Sequence, residues 1–250
     1  MRNTKPYLIV LTGAGISAES GLPTFRASDG LWEGHRVEDV ATPEAFARNP
    51  ALVQQFYNER RAALATVQPN AAHHALRRLE REWRGNFMLI TQNVDDLHSR
   101  ADSARRIQMH GELLSARCTL CGKAACWVGD ISAASECIRC GQPGGLRPDI
   151  VWFGETPYQM DLIHTLLNWC SHFIAIGTSG HVFPAADFVQ TAAAAGAHTI
   201  EVNLAETAAS AAFAERRTGP ATVVVPALVE ELLAGQPEPK PRVKRTKPRN

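Results

Sequence analysis

The chain has 250 residues, 45% of them hydrophobic and 20% charged, with a net charge of +1. This composition suits one large globular domain, with or without a small insert, and the near-neutral balance argues against a molecule built around nucleic acid. No apolar run approaches the roughly eighteen residues of a membrane span, and the run after Arg2 and Lys5 is too short for a signal-peptide core, so a cytoplasmic chain with reduced thiols is expected.

Tyr7-Leu8-Ile9-Val10-Leu11-Thr12 reads as a buried strand, and Gly13-Ala14-Gly15-Ile16-Ser17-Ala18 as a tight turn entering a helix. The G-x-G-x-x-A spacing suits a diphosphate, because glycines let a ligand approach bare amides and the helix start favours negative charge. The same pair of glycines would serve equally well as a plain turn. An irregular stretch with Pro23, Gly30 and Gly34 follows. Thr42-Pro43 then caps one helix, Asn49-Pro50 a second running to about Thr66, and Pro69-Asn70 a third over roughly 71–83.

Further strands are expected at Phe87–Thr91, Arg106–Met109, Ile150–Phe153, Phe173–Ile176, Thr199–Val202 and Thr222–Val225, and helices at Tyr158–Trp169, after Pro184 and after Pro226. Strands alternating with helices imply an α/β fold, a Rossmann-like doubly wound parallel sheet covered on both faces. Ligands of such sheets sit at the carboxyl ends of the strands, here Gly13-Ala14-Gly15, Gln92-Asn93, His110 and Gly177-Thr178-Ser179. The last fourteen residues, 237–250, carry six basic residues and one acid; they read as a disordered tail, and as the only segment with any call on nucleic acid.

Cys118-x2-Cys121 and Cys137-x2-Cys140 are two knuckles fifteen residues apart, able to hold one structural Zn²⁺ in a small inserted lobe over about 113–147. Cys126 and Cys170 read as free thiols. Among nine histidines His110 stands out, because it ends a strand on the ligand side, where an imidazole titrating near neutrality serves as a general base. Asn93 and Asp95 can hold ribose hydroxyls and an amide, although on their own turn formation is the reading such residues favour.

Gly13-Ala14-Gly15-Ile16-Ser17, Gly21-Leu22-Pro23-Thr24-Phe25-Arg26, Thr91-Gln92-Asn93-Val94-Asp95 and His110-Gly111 before the paired knuckles resemble the sirtuins, NAD-dependent protein lysine deacylases. The likeness runs from about Leu8 to Leu233 and implies a catalytic domain over 1–236, with the zinc lobe and a helical insert over about 35–85. It implies that NAD is a co-substrate. Gly13, Ala14, Gly15, Ser17, Phe25, Arg26, Gln92, Asn93, Asp95, Gly177, Thr178, Ser179, Asn203 and Ala221 would contact it, with His110 as the base. Val151-Trp152-Phe153-Gly154 would pair with the substrate backbone as an added strand.

Tyr57 and Arg60 lie three apart on a helix, so both can face one pocket, where a guanidinium fork fits a carboxylate. This pair resembles the class III sirtuins, which remove succinyl, malonyl and glutaryl groups; bacterial members resembling the chain also remove acetyl groups. The expected partners are therefore acylated lysines of proteins. An NAD dehydrogenase should show an acid ending a second strand about twenty residues after the glycine turn, but Glu38 and Asp39 lie in an irregular stretch. A zinc-ribbon nucleic-acid module leaves His110 unexplained. An ADP-ribosyltransferase on the same scaffold would not need Tyr57 and Arg60 as a pair.

Overall fold

The structure is a computed structural model and describes residues 6–23, 31–32 and 35–236. In chain order the elements are β1 (Tyr7–Thr12), α1 (Gly15–Ala18), β2 (Leu31–Trp32), β3 (His35–Arg36), α2 (Val37–Val40), α3 (Pro43–Arg48), α4 (Pro50–Ala63) and α5 (Ala71–Glu82). Next come β4 (Asn86–Thr91), α6 (Leu97–Arg100), β5 (Arg106–Gln108), β6 (Gly111–Cys118), β7 (Ala124–Cys126) and β8 (Leu146–Ile150). The chain finishes with α7 (Met160–Leu167), β9 (His172–Ile176), α8 (Phe188–Ala194), β10 (His198–Asn203), β11 (Glu215–Thr218) and α9 (Ala221–Ala234).

Six of these strands form one parallel sheet in the order β11-β10-β9-β1-β4-β5. Alternation along β1 sends Leu8 and Val10 into a core with Leu76, Leu79, Val225 and Leu228 of α5 and α9. Ile9 and Leu11 face Ile163, Phe188 and Val189 of α7 and α8 on the opposite side. Both faces are thus covered, which is why β1 reads as a continuous apolar run rather than an alternating one. Burying each such side chain contributes about 1.5–3 kcal/mol, so these two layers dominate the stability.

The capping residues act as their sequence positions imply. Thr42 Oγ1 accepts from the Ala45 amide at 3.0 Å and Asn49 Oδ1 from the Leu52 amide at 3.1 Å. Asn70 and His73 form a reciprocal capping box on α5.

Two expected strands are corrected. Thr222–Val225 lies inside α9, where Val225 is buried and Val223 exposed, a helical spacing with Leu228 and Val229. The Glu19 carboxylate accepts from the Thr222 amide at 3.1 Å and so satisfies the start of that helix. The edge strand is instead Glu215-Arg216-Arg217-Thr218, whose polar sequence gave no strand signal. Arg217 bridges Glu215 and Glu231 there, the latter at 2.7 Å, an exposed pairing worth little beside the ladder itself. Likewise, β8 ends at Ile150 and belongs to a separate antiparallel sheet, β7-β6-β8, while Val151–Phe153 continues outside any strand.

That second sheet departs from the first at Gly111, which has φ +85°; a Cβ there would stand 1.9 Å from the Asp149 carbonyl oxygen. A third core, built from Val53, Phe56, Tyr57, Leu113, Ile150 and Trp152, packs α4 against this lobe. Gly111→Ala is expected to lower the unfolding free energy by more than about 1 kcal/mol, read from the denaturant midpoint; an unchanged midpoint would contradict the close approach.

Candidate active site

A cavity of ≈ 690 Å³ opens at the carboxyl ends of β1, β4, β9 and β10. Of the residues singled out in the sequence, Gly13, Ala14, Gly15, Ser17, Gln92, Asn93, Asp95 and His110 line it. Gly177, Thr178, Ser179 and Asn203 line it from the β9–β10 side, and Tyr57, Arg60, Val151, Trp152, Phe153 and Gly154 from the α4 side. Ala221 starts α9 outside this lining. Phe25 and Arg26 lie outside the described residues, as does the tail from 237.

The cavity sits where the sheet changes direction, between β1 and β9, the switch point that forms the ligand crevice of such sheets. Gly13 donates to the Ile176 carbonyl at 3.0 Å and Gly15 to the Gly177 carbonyl at 2.9 Å. A Cβ on Gly15 would lie 2.6 Å from Gly177 Cα. The glycine amides are therefore engaged by backbone and do not face a ligand bare. The glycines are required for the close approach of two strand ends. With α1 only four residues long, its dipole is also a minor attraction for an anion.

Around that turn the polar side chains form one web. Asp95 accepts from Ser17 Oγ at 2.9 Å and from the Leu97 amide at 3.0 Å, while Asn93 Nδ2 donates to Ser17 Oγ at 3.1 Å. Burial pushes the Asp95 carboxyl up, against the pull of those hydrogen bonds. Beneath it, Thr91 Oγ1 accepts from Thr12 Oγ1 at 2.9 Å and from the Asn93 amide at 3.0 Å. Thr12 Oγ1 is 3.0 Å from His98 Nε2, whose ring lies 4.8 Å from that of His73. Burial pushes His73 down to about 4 and His98 well below the ordinary range, so both are neutral.

Thr12 and His98 were not singled out in the sequence, and Asn70, expected only at the start of α5, also donates from Nδ2 to the Ile16 carbonyl at 2.8 Å. The available signal was that Thr12 and Thr91 each end an apolar strand, and they stand opposite each other in register.

His110 occupies the turn between the two sheets. Its Nδ1 donates to the Gln92 carbonyl at 3.0 Å, which fixes Nε2 as the basic nitrogen. Burial lowers its pKa, partly offset by that hydrogen bond. The opposite wall carries Tyr57, fully buried, with its oxygen accepting from Trp152 Nε1 at 3.0 Å. Burial also pushes the Tyr57 phenol up. Arg60 lies with its guanidinium carbon 4.8 Å from the Phe56 ring centroid.

The four knuckle thiols, Cys118, Cys121, Cys137 and Cys140, have their sulfurs within 4.8 Å of one another. Cys118–Cys140 and Cys121–Cys137 are 3.9 and 3.8 Å apart. A regular tetrahedron with Zn–S bonds of about 2.3 Å has edges of about 3.8 Å, so the thiols fit Zn²⁺. Both knuckles close the same way, with the Gly122 amide on the Cys118 carbonyl and the Gly141 amide on the Cys137 carbonyl, each at 2.8 Å. Four protein sulfurs fill the coordination shell, as in a structural site. Cys126 is exposed on β7, and Cys170 is buried just past the end of α7. Cys121→Ser is expected to abolish stoichiometric zinc and lower the melting temperature, read by metal analysis and calorimetry; full zinc retention would contradict a four-thiolate site.

Comparison with known proteins agrees with this geometry. The Sir2 family model matches residues 13–184. The NAD-dependent protein deacylase of Escherichia coli strain K12 is 56% identical over 233 residues, covering 92% of this chain and 84% of that protein. A solved mutant Sir2 homologue in complex with ADP-ribose superposes with a TM-score of 0.85 at 38% identity, over 94% of this chain and 96% of that one. A solved Sir2–p53 peptide–NAD+ complex superposes with a TM-score of 0.77 at 30% identity, over 92% and 94% of the two chains.

Proposed function

This chain belongs to the Sir2 family, and we propose that it is an NAD-dependent protein lysine deacylase. Its substrates are lysines carrying succinyl, malonyl or acetyl groups. The observation that carries this reading is the placement of His110, with its tautomer fixed by Gln92, on the same cavity as the Gly13–Gly15 turn and the Tyr57–Arg60 pair. The reaction this supports consumes NAD and one water and yields nicotinamide, O-acyl-ADP-ribose and free lysine. Nicotinamide leaves as the acyl oxygen attacks the ribose carbon.

His110 then takes a proton from a ribose hydroxyl at Nε2, and that oxygen receives the acyl group. Its depressed pKa serves this step, because a neutral imidazole holds no proton at Nε2 and is ready to accept one. Asn93, Asp95 and Ser17 hold the ribose and amide groups with a mutually satisfied set of donors and acceptors. Val151–Gly154 pairs with the peptide as an added strand. A cytoplasmic location accompanies this reading, since the thiolates of the zinc site must stay reduced. Among the described residues no helix is long and apolar enough to cross a membrane.

Incubation with NAD and a succinyl-lysine peptide is expected to release nicotinamide and free lysine one for one; nicotinamide without free lysine would refute the deacylase reading. The acidic limb of kcat/KM is expected to fall below about pH 6.5, the ordinary histidine value, because activity is lost only as pH drops through the lowered His110 pKa. A limb rising above that value would contradict a neutral, buried base. In Tyr57→Phe and Arg60→Met, succinyl turnover is expected to weaken by about 1.5–3 kcal/mol per lost charge-assisted bond relative to acetyl turnover. Equal losses on both peptides would leave a deacetylase without an acid reader.

A further inference from the structure

Arg147 lies on β8, in the zinc-bearing lobe, and nothing in the sequence pattern marks it. Its side chain is 12% exposed and every nitrogen of its guanidinium is engaged. Nη1 and Nη2 grip the Glu155 carboxylate at 2.7 and 3.0 Å, Nη2 also donates to the Ile150 carbonyl at 2.7 Å, and Nε donates to the Pro148 carbonyl at 3.3 Å. The plane so fixed stands 3.4 Å from the centroid of the Trp152 ring. Glu155 in turn accepts from the Trp152 amide at 2.8 Å, so the backbone and the ring of Trp152 are both clamped by the same ion pair. The far side of that indole donates its N–H to Tyr57 Oη at 3.0 Å.

We infer that Arg147 is a positioning residue for acyl selectivity: it fixes the Trp152 indole, which fixes the Tyr57 phenol. An indole N–H is a donor only, so it occupies an acceptor position on the phenol oxygen and aims the phenol's own hydrogen as a donor. The clamp spans the segment that pairs with the peptide backbone and the helix that carries the acyl-recognising residues. Peptide docking and acyl recognition are thereby mechanically coupled through one aromatic ring. Lysine cannot replace this arginine, since an ammonium has neither the fork for Glu155 nor the flat face for the indole. The inference rests on the reading of Tyr57 and Arg60 as the acyl-recognising pair.

The test is a double-mutant cycle read as the ratio of kcat/KM for succinyl over acetyl peptide, a quantity that general loss of folded enzyme does not move. Arg147→Lys is expected to lower the ratio by about fivefold to tenfold, the equivalent of one hydrogen bond, and to lower it by less than about twofold when Tyr57 is already Phe. Trp152→Phe keeps a flat aromatic ring under the guanidinium but removes the indole N–H together with part of the ring. It is expected to give the same drop and the same insensitivity in the Tyr57→Phe background, so the test survives if Arg147→Lys fails to fold. A ratio unchanged by Arg147→Lys and Trp152→Phe while Tyr57→Phe lowers it overturns the inference alone. Equal drops with and without Tyr57 also overturn it, because Arg147 would then act by another route. A ratio unchanged by Tyr57→Phe overturns both the inference and the acyl reading beneath it.

Discussion

The contact on which the site depends is backbone against backbone. At the point where the sheet reverses its strand order, the Gly13–Gly15 turn closes on Gly177 so tightly that no side chain fits between them. Three strand ends, those of β1, β4 and β9, are thereby brought level, and each delivers a short polar segment to one crevice. Thr12 and Thr91 fasten two of those ends together from below through a buried hydroxyl pair. Because buried polar groups are costly unless paired, this web admits few alternative arrangements. It presents Asn93 and Asp95 in one geometry.

The remaining half of the site is imported. Gly111 lets the chain leave the parallel sheet and start an antiparallel one, and His110 sits on that departure point, with its carbonyl held by the Val151 amide at 2.9 Å. His110 and Val151, distant in sequence, are thus hydrogen-bonded neighbours at the junction of the two sheets. The four-thiol cluster keeps the lobe's own small core, Ala116, Ile131 and Leu146, from having to stand alone. The core shared with α4 then carries Tyr57 and Arg60 to the same cavity. The four-thiol cluster, the lobe and α4 thus form one packed chain that ends at the cavity.

Much of this was legible in the residues. The β1 run, the capping pairs at Thr42, Asn49 and Asn70, and the knuckle spacing are local signals whose physics is local, and they formed as read. One expected strand is a helix and one observed strand gives no strand signal, because local signals compete with context. Thr222-Val223-Val224-Val225 is β-branched, yet Pro220, Glu19 and the packing of Val225 on α5 make it helical. Glu215–Thr218 has no apolar alternation because an edge strand needs only one partner. The roles of Thr12 and His98 depend on partners 79 and 86 positions away that meet only after folding, so no window along the chain reveals them. The glycine turn was located correctly, but its amides face the sheet.

We propose that His110 acts after the departure of nicotinamide, as acceptor of a ribose proton. The most direct test compares His110→Ala with the unaltered protein in two assays on one acyl-lysine peptide: release of free lysine, and exchange of labelled nicotinamide into NAD. The predicted result is that lysine release is abolished while exchange persists, because no proton transfer to His110 precedes nicotinamide loss. Unaltered lysine release in His110→Ala would contradict this role for His110.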